Sequence, residues 1–196
     1  SDITDNLNLA LVYSDHLSQT TREIDQTLRA LNAEYIEPAP GNDPIRNPDA
    51  LPTGRNFYSF DQRKFPDYET ELKGRELVDQ WVADYYAENG EYPDKQAFIL
   101  WSVETMRHKG LMEAQIYALI GVELERSYGR IKGFKVIPED EMTHPRIDVL
   151  VLPSGLYRDT FPLQLEYMDT AIRMIADYDE DPSFNFVRKN SLEMEA

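Results

Sequence analysis

The sequence predicts an α/β fold built on a parallel sheet, and three observations point to it. Two short, wholly apolar runs, Ala97–Trp101 and Ile147–Leu152, are bounded by turn residues, the pattern of strands buried on both faces. Amphipathic helical stretches separate them, so the strands are joined by crossovers rather than hairpins. A proline-punctuated segment from Glu37 to Gly54 sets this alternating region apart from a helical N-terminus.

In chain order, Asn6 to Asn32 reads as one long helix. Ala10, Leu17, Ile24 and Leu31 fall seven apart, with Ser14, Thr21 and Leu28 between them. That is an amphipathic stripe, weakened in its middle by Ser and Thr, and it requires a partner surface. Pro38, Pro40, Pro44, Pro48 and Pro52 then remove backbone donors and bias their predecessors away from helix, giving an extended arm or structured loop. A helix from Tyr68 to Glu88 carries the apolar pairs Leu77-Val78, Trp81-Val82 and Tyr85-Tyr86, and Asn89-Gly90 ends it.

Ala97–Trp101 is the first buried strand, and the helix Leu111–Ile120 stops at Gly121. Val122–Glu125 reads as the next strand, Tyr128-Gly129-Arg130 as a turn and Phe134–Ile137 as an edge strand. Ile147–Leu152 is the second strong buried strand. Pro162 suits the first residue of a helix that continues through Leu165, Met168, Ile172 and Ile175. The organisation expected is an N-terminal helical segment (1–36), a Pro-rich extended arm (37–66), a doubly wound, flavodoxin-like α/β core (67–180) and a polar tail (181–196) whose last residues are loose.

Composition removes several function classes. The 196 residues suit one large domain, or one domain with an appended arm. Twenty Lys and Arg against 36 Asp and Glu give a net charge of −16, which argues against nucleic acid and against an anionic membrane surface. With no cysteine there is no disulfide, thiolate metal site or cysteine nucleophile. Apolar runs such as Ala97–Trp101 are far too short to span a bilayer. The opening residues Ser1-Asp2-Ile3-Thr4-Asp5 are unlike a secretion leader and lack an initiator Met. A cytoplasmic piece of a longer protein, or a trimmed chain, is expected.

Familiar catalytic signatures are missing. The sequence has no Gly-x-x-x-x-Gly-Lys-Ser/Thr loop, no Gly-x-Gly-x-x-Gly, no Gly-x-Ser-x-Gly and no His-Glu-x-x-His. The histidines His16, His108 and His144 have no short metal-ligand spacing. His108 draws attention only because it follows Glu104 and Arg107.

Open parallel sheets bind ligands at the carboxyl ends of their strands. Two polar clusters occupy those places here: Ser102–His108 after the first buried strand, and Ser154–Thr160 after the second. Each offers a carboxylate, a guanidinium and a hydroxyl on a loop leading into a helix. Glu104, Arg107, Arg158 and Asp159 are therefore expected to open onto one cleft. The plainer alternative is that these groups pair with each other and cap the next helices.

The arm and the two loops together resemble the large subunit of cobaltochelatase and its magnesium-chelatase relative. The matching stretches begin with Asn42-Asp43-Pro44-Ile45-Arg46-Asn47-Pro48-Asp49 and Leu51-Pro52-Thr53-Gly54-Arg55-Asn56. Phe57-Tyr58-Ser59-Phe60-Asp61 is closer to the cobalt branch. Gly90-Glu91-Tyr92-Pro93, Leu100-Trp101, Glu104-Thr105-Met106-Arg107, Val136-Ile137-Pro138, Pro145-Arg146-Ile147-Asp148-Val149 and Ser154-Gly155-Leu156-Tyr157-Arg158-Asp159 follow in order, so the likeness covers Leu28 to Val187. Departures fall at Ser102, at His108-Lys109-Gly110-Leu111-Met112-Glu113, at Thr143-His144 and at Asn190.

The resemblance implies insertion of a divalent metal into a tetrapyrrole, driven by ATP hydrolysis on separate AAA+ ring subunits. The parent would take Co2+ into a corrin precursor in preference to Mg2+ into protoporphyrin. This chain would be one module of the large subunit, inactive alone, holding no cofactor by itself and partnered by the rest of that subunit. Insertion must strip two pyrrole N–H protons, and Glu104 and Asp159 are the candidate catalytic carboxylates. Arg46, Arg55, Asn56, Arg107 and Arg158 are the candidate donors to the macrocycle's peripheral groups. The alternative is a non-catalytic, chelatase-like interaction module.

Overall fold

The computed structural model describes residues 3–41, 44, 48–58 and 61–195, and the chain divides into two compact units, 1–60 and 61–196.

The first unit holds two helices, α1 (Ile3–Ser18) and α2 (Arg22–Leu31), where the sequence suggests one. The break has a local cause. Ser18 Oγ donates to the Asp15 carbonyl at 2.7 Å and Gln19 Nε2 to the Asp15 carboxylate at 2.9 Å, just before the β-branched pair Thr20-Thr21. Side chains that bond back to the preceding turn, followed by residues stiff at χ1, weaken helix continuation. Neither helix buries a residue. The arm does adopt regular structure: β1 (Pro38–Pro40) and β2 (Asn56–Tyr58) pair in parallel, Pro38 opposite Asn56.

In the second unit the α/β class and the parallel sheet hold. β3 (Lys95–Leu100) and β6 (Asp148–Pro153) pair in parallel, from Lys95 opposite Asp148 to Leu100 opposite Pro153. The parallel sheet in this unit is two strands wide. β4 (Val122–Ser127) does not join it but forms an antiparallel hairpin with β5 (Arg130–Val136). Tyr128 and Gly129 between them sit at φ 52° and 73°, as a two-residue hairpin loop of type I′ requires.

Helix α3 (Tyr68–Asn89) starts on Asp67, whose carboxylate accepts from the Thr70 amide at 2.8 Å, and stops at left-handed Gly90. Helix α4 (Ser102–His108) follows β3. Helix α3 packs on α5 (Leu111–Ile120), and Gly74 allows the approach. A Cβ there would stand 2.6 Å from that of Ala114. Helix α5 is the core: Ala114, Ile116, Tyr117, Ala118, Leu119 and Ile120 are all buried. Glu71 of α3 accepts from the Leu124 amide at 2.9 Å and pairs with Arg126, anchoring the hairpin. Asp61 bonds Arg63 and Arg130, and the Arg63 bond chiefly holds its carboxyl down at about 2.

After β6 come α6 (Gly155–Thr160), which is the counterpart of α4, then α7 (Pro162–Ala176) and α8 (Phe186–Glu195). The segment expected to be a polar tail with loose last residues is thus largely helix α8. Asn185 is buried, its carbonyl oxygen Oδ1 accepting from the Arg188 amide at 3.0 Å as an N-cap. Asn190 donates to Asp148 at 2.8 Å, and Asp148 also meets Lys95 at 2.7 Å.

Arg146, fully buried, joins these parts. Its guanidinium grips Glu180 with two bonds, 2.6 and 3.1 Å. It also donates to the carbonyls of Ile120, Gly121 and Ile137 at 3.3, 2.9 and 2.6 Å. The end of α5, the end of the hairpin, the start of β6 and the segment after α7 all meet on this one side chain. No helix among the described residues is long and apolar enough to cross a membrane.

Candidate functional site

Because β3 and β6 run in parallel and in register, the chain leaves both at the same end. The Ser154 amide still donates to the Leu100 carbonyl at 2.9 Å past the strand. Helix α4 begins at Ser102 and α6 at Gly155, where Ser154 Oγ accepts from the Tyr157 amide at 3.1 Å. The two short helices pack side by side at the carboxyl edge of the sheet.

What holds them together lies beneath. Glu113 on α5 is fully buried, and its Oε1 accepts two hydrogen bonds: from Thr105 Oγ1 of α4 at 2.9 Å and from Tyr157 OH of α6 at 2.6 Å. Burial, then the neighbouring Glu113 carboxylate, pushes the Tyr157 phenol far above its ordinary range, so it remains a donor. Tyr117 is displaced upward for the same two reasons. Helices of six and seven residues have no stability of their own. This shared carboxylate oxygen fixes both.

The loop candidates stand above that anchor. Glu104, Arg107, Arg158 and Asp159 lie on the two short helices, and Glu104, Arg158 and Asp159 are exposed. Arg107 Nη1 meets Glu104 Oε1 at 2.9 Å, a surface pair within α4 rather than across to α6. Such exposed pairs contribute about 0.2–1 kcal/mol. Arg158 and Asp159 make no ion pair with a described residue. His108 serves the fold: its Nδ1 accepts from the Leu111 amide at 3.0 Å and so caps α5.

The remaining candidates belong to the first unit. Arg55 spends its guanidinium on the carbonyls of Asp49, Leu51 and Pro52, at 2.6, 2.9 and 3.1 Å, stitching the arm. Asn56 is exposed on β2. Both line a groove of about 990 Å³ between α2 and the arm, with Ala30, Ala39 and Leu51 among its walls. Arg46 lies outside the described residues.

Reasoning from sequence misses Glu113 and Tyr157 as a unit. A signal exists, since Glu113 is the only charged residue in the mostly apolar helix Leu111–Ile120. Among the described residues, no three His, Asp or Glu side chains cluster closely enough to hold a metal ion. The arrangement presents carboxylates and guanidiniums on a braced edge, suited to a ligand with acidic groups and exchangeable protons.

Comparison with known proteins gives a consistent result. The chain is 36% identical over 171 residues to the aerobic cobaltochelatase subunit CobN of Sinorhizobium, covering 84% of this chain and 13% of that protein. It is 36% identical over 173 residues to the chloroplastic magnesium-chelatase subunit ChlH of Oryza sativa subsp. indica, covering 87% and 12%. The structure of the catalytic subunit of cobaltochelatase from Mycobacterium tuberculosis superposes with a TM-score of 0.78 at 36% identity, over 92% of this chain and 16% of that one. The chain thus spans roughly an eighth to a sixth of the length of these relatives. Since residues 3–196 match the family described as CobN/Magnesium Chelatase, this chain belongs to that family.

Proposed function

We propose that this chain is a module of the tetrapyrrole-holding large subunit of an ATP-dependent metal chelatase, helping to seat the macrocycle at the carboxyl edge of β3 and β6. The observation that carries this reading is the pair of helices α4 and α6 locked on Glu113 Oε1, with charged side chains displayed above.

Each residue type has a role in that chemistry. Arg107 and Arg158 supply charge-assisted, two-pronged donors for peripheral carboxylates or amides of the ring. Glu104 and Asp159 accept the two pyrrole protons that must leave as a divalent ion enters. In the first unit Asn56 is a further donor candidate by itself, while Arg55 is committed to the arm's own carbonyls. The metal is a substrate, and ATP is consumed on separate subunits. Cobalt is favoured over magnesium because Phe57-Tyr58-Ser59-Phe60-Asp61 is closer to the cobalt branch. Bracing from below keeps the donors preorganised, so little ordering remains when the ligand arrives.

The test uses the full-length parent subunit. Losing one charged hydrogen bond, about 1.5–3 kcal/mol, weakens binding about ten- to a hundredfold. Arg107→Ala or Arg158→Ala should therefore weaken tetrapyrrole binding by that factor in a fluorescence titration, with the urea midpoint unchanged. A lowered midpoint with unaltered binding per folded molecule would make these residues structural and refute the assignment.

A further inference from the structure

The β3–β6 sheet has one covered face and one open face. Phe98, Leu100 and Val149 are buried against the core, on the side of α5. The other face begins with Lys95 paired to Asp148, which Asn190 of α8 covers, and is open beyond them. There Ala97 lies opposite Leu150 and Ile99 opposite Leu152. Ile99 is 55% exposed, Leu150 49% and Leu152 46%. Trp101, Val103 and Leu156, at the edge where α4 and α6 begin, are exposed too. Among the described residues, neither outer edge of the two-stranded pair carries another strand.

Parallel sheets occur with both faces covered, almost always by helices, and usually with about four to six strands. A two-stranded parallel pair with an aliphatic open face is an unfinished layer. We propose that this face is a docking seat for a helical segment of the longer parent polypeptide, which completes the second layer. The inference rests on the parent being a longer chain, as in the proposed function, but not on the chemistry of that proposal.

Three observations select this occupant. The relatives are several times longer than this chain, which spans 12–16% of them, so they hold ample further polypeptide. A second copy is opposed by the net charge of −16. A tetrapyrrole is a poor match for the middle of the face, where Ala97, Ile99, Leu150 and Leu152 give no donor for its peripheral groups; the donors proposed for it, Arg107 and Arg158, stand at the edge. A row of aliphatic side chains at strand spacing fits the apolar stripe of an amphipathic helix.

The chain lacks cysteine, so Ile99→Cys and Leu152→Cys each create a single thiol in the 196-residue chain. Alkylation with iodoacetamide is followed by peptide mass spectrometry, in buffer and in urea, for this chain and for the parent carrying the same change. The proposal expects near-equal rates in buffer and urea for this chain, and slowing of at least about ten-fold in the folded parent. Equal rates in the parent would overturn it. So would protection of the short chain that vanishes on dilution, which would indicate a second copy. Protection of the parent only when a metal-free tetrapyrrole is added would also overturn it. Should the substituted parent fail to fold, hydroxyl-radical oxidation of unaltered Trp101 and Leu152 gives the same comparison. A parent that shields this face but inserts no metal leaves the docking seat standing and defeats the proposed function. A parent that inserts metal with the face open does the reverse.

Discussion

Replacing Arg146 with Met should destabilise the second unit by about 3–5 kcal/mol, the usual effect of breaking a buried ion pair from one side. The magnitude follows from what is stranded. Glu180, with a side chain only 6% exposed, would lose its counter-charge. The carbonyls of Ile120 and Ile137 would lose a donor, at about 1–3 kcal/mol for each that water cannot reach, while that of Gly121 keeps the Ile137 amide at 3.0 Å. Glu180→Gln should be milder, because the guanidinium keeps those three carbonyls and lies over the rings of Tyr178 and Phe184 at 5.6 and 6.0 Å. The double change Arg146→Met with Glu180→Gln should recover only part of the loss, since the Ile120 and Ile137 carbonyls remain without the guanidinium. Urea denaturation of all four proteins, compared at constant slope, closes the cycle. Domains are stable by only about 5–15 kcal/mol, so the single Arg change should be near the limit of folding. A loss below about 1 kcal/mol for Arg146→Met would refute the reasoning, since that is the range of an exposed pair.

Two glycines in the same left-handed conformation should behave differently. Gly121→Ala drives a Cβ into Arg146 Nη1 and should cost well over ~3 kcal/mol, whereas Gly90→Ala meets nothing within 4 Å and should cost about 1–2 kcal/mol by urea midpoint. Burial lowers the pKa of His144 below its usual 6.5. The unfolded chain therefore binds more protons below about pH 6.5, and stability should fall with acidification from there while staying flat above it. Urea midpoints across that range should show this fall, and His144→Asn should remove its share; a midpoint that rises with acid would contradict the assignment.

The parts legible in the sequence are those governed by neighbours along the chain. Helix α5 is legible to its true ends because Gly110 and Gly121, both with positive φ, bracket a mostly apolar run. Strands β3 and β6 announce themselves by length and apolarity, and their pairing follows from the helical connections. The hairpin is harder to foresee although Tyr128-Gly129 reads as a turn, since only two adjacent left-handed residues demand an antiparallel return. The tail misleads because its charge outweighs Asn185, whose position before α8 is a helix-start signal. What Arg146 and Glu113 bind is beyond reach for another reason. Their partners Glu180 and Tyr157 lie 34 and 44 residues away, and only tertiary packing brings them together.

Those two buried groups divide the labour of the second unit. Arg146 gathers the amino-terminal side of β6, where α5, the hairpin and the segment leading to α8 converge on its guanidinium. Glu113 acts at the opposite end, where the strands deliver α4 and α6. A hydrophobic core fixes volumes but leaves short surface helices free to slide, and directional bonds to a buried carboxylate do not. Both loops therefore depend on one oxygen atom of one residue. A shift of α5 along its axis would move Glu113, and with it Thr105 and Tyr157, so Glu104, Arg107, Arg158 and Asp159 are positioned as one group. The open sheet face ends at that same edge, at Trp101 and Leu156. A helix docked there would press on the start of both short helices, and so would couple the docked segment to the residues proposed to meet the macrocycle.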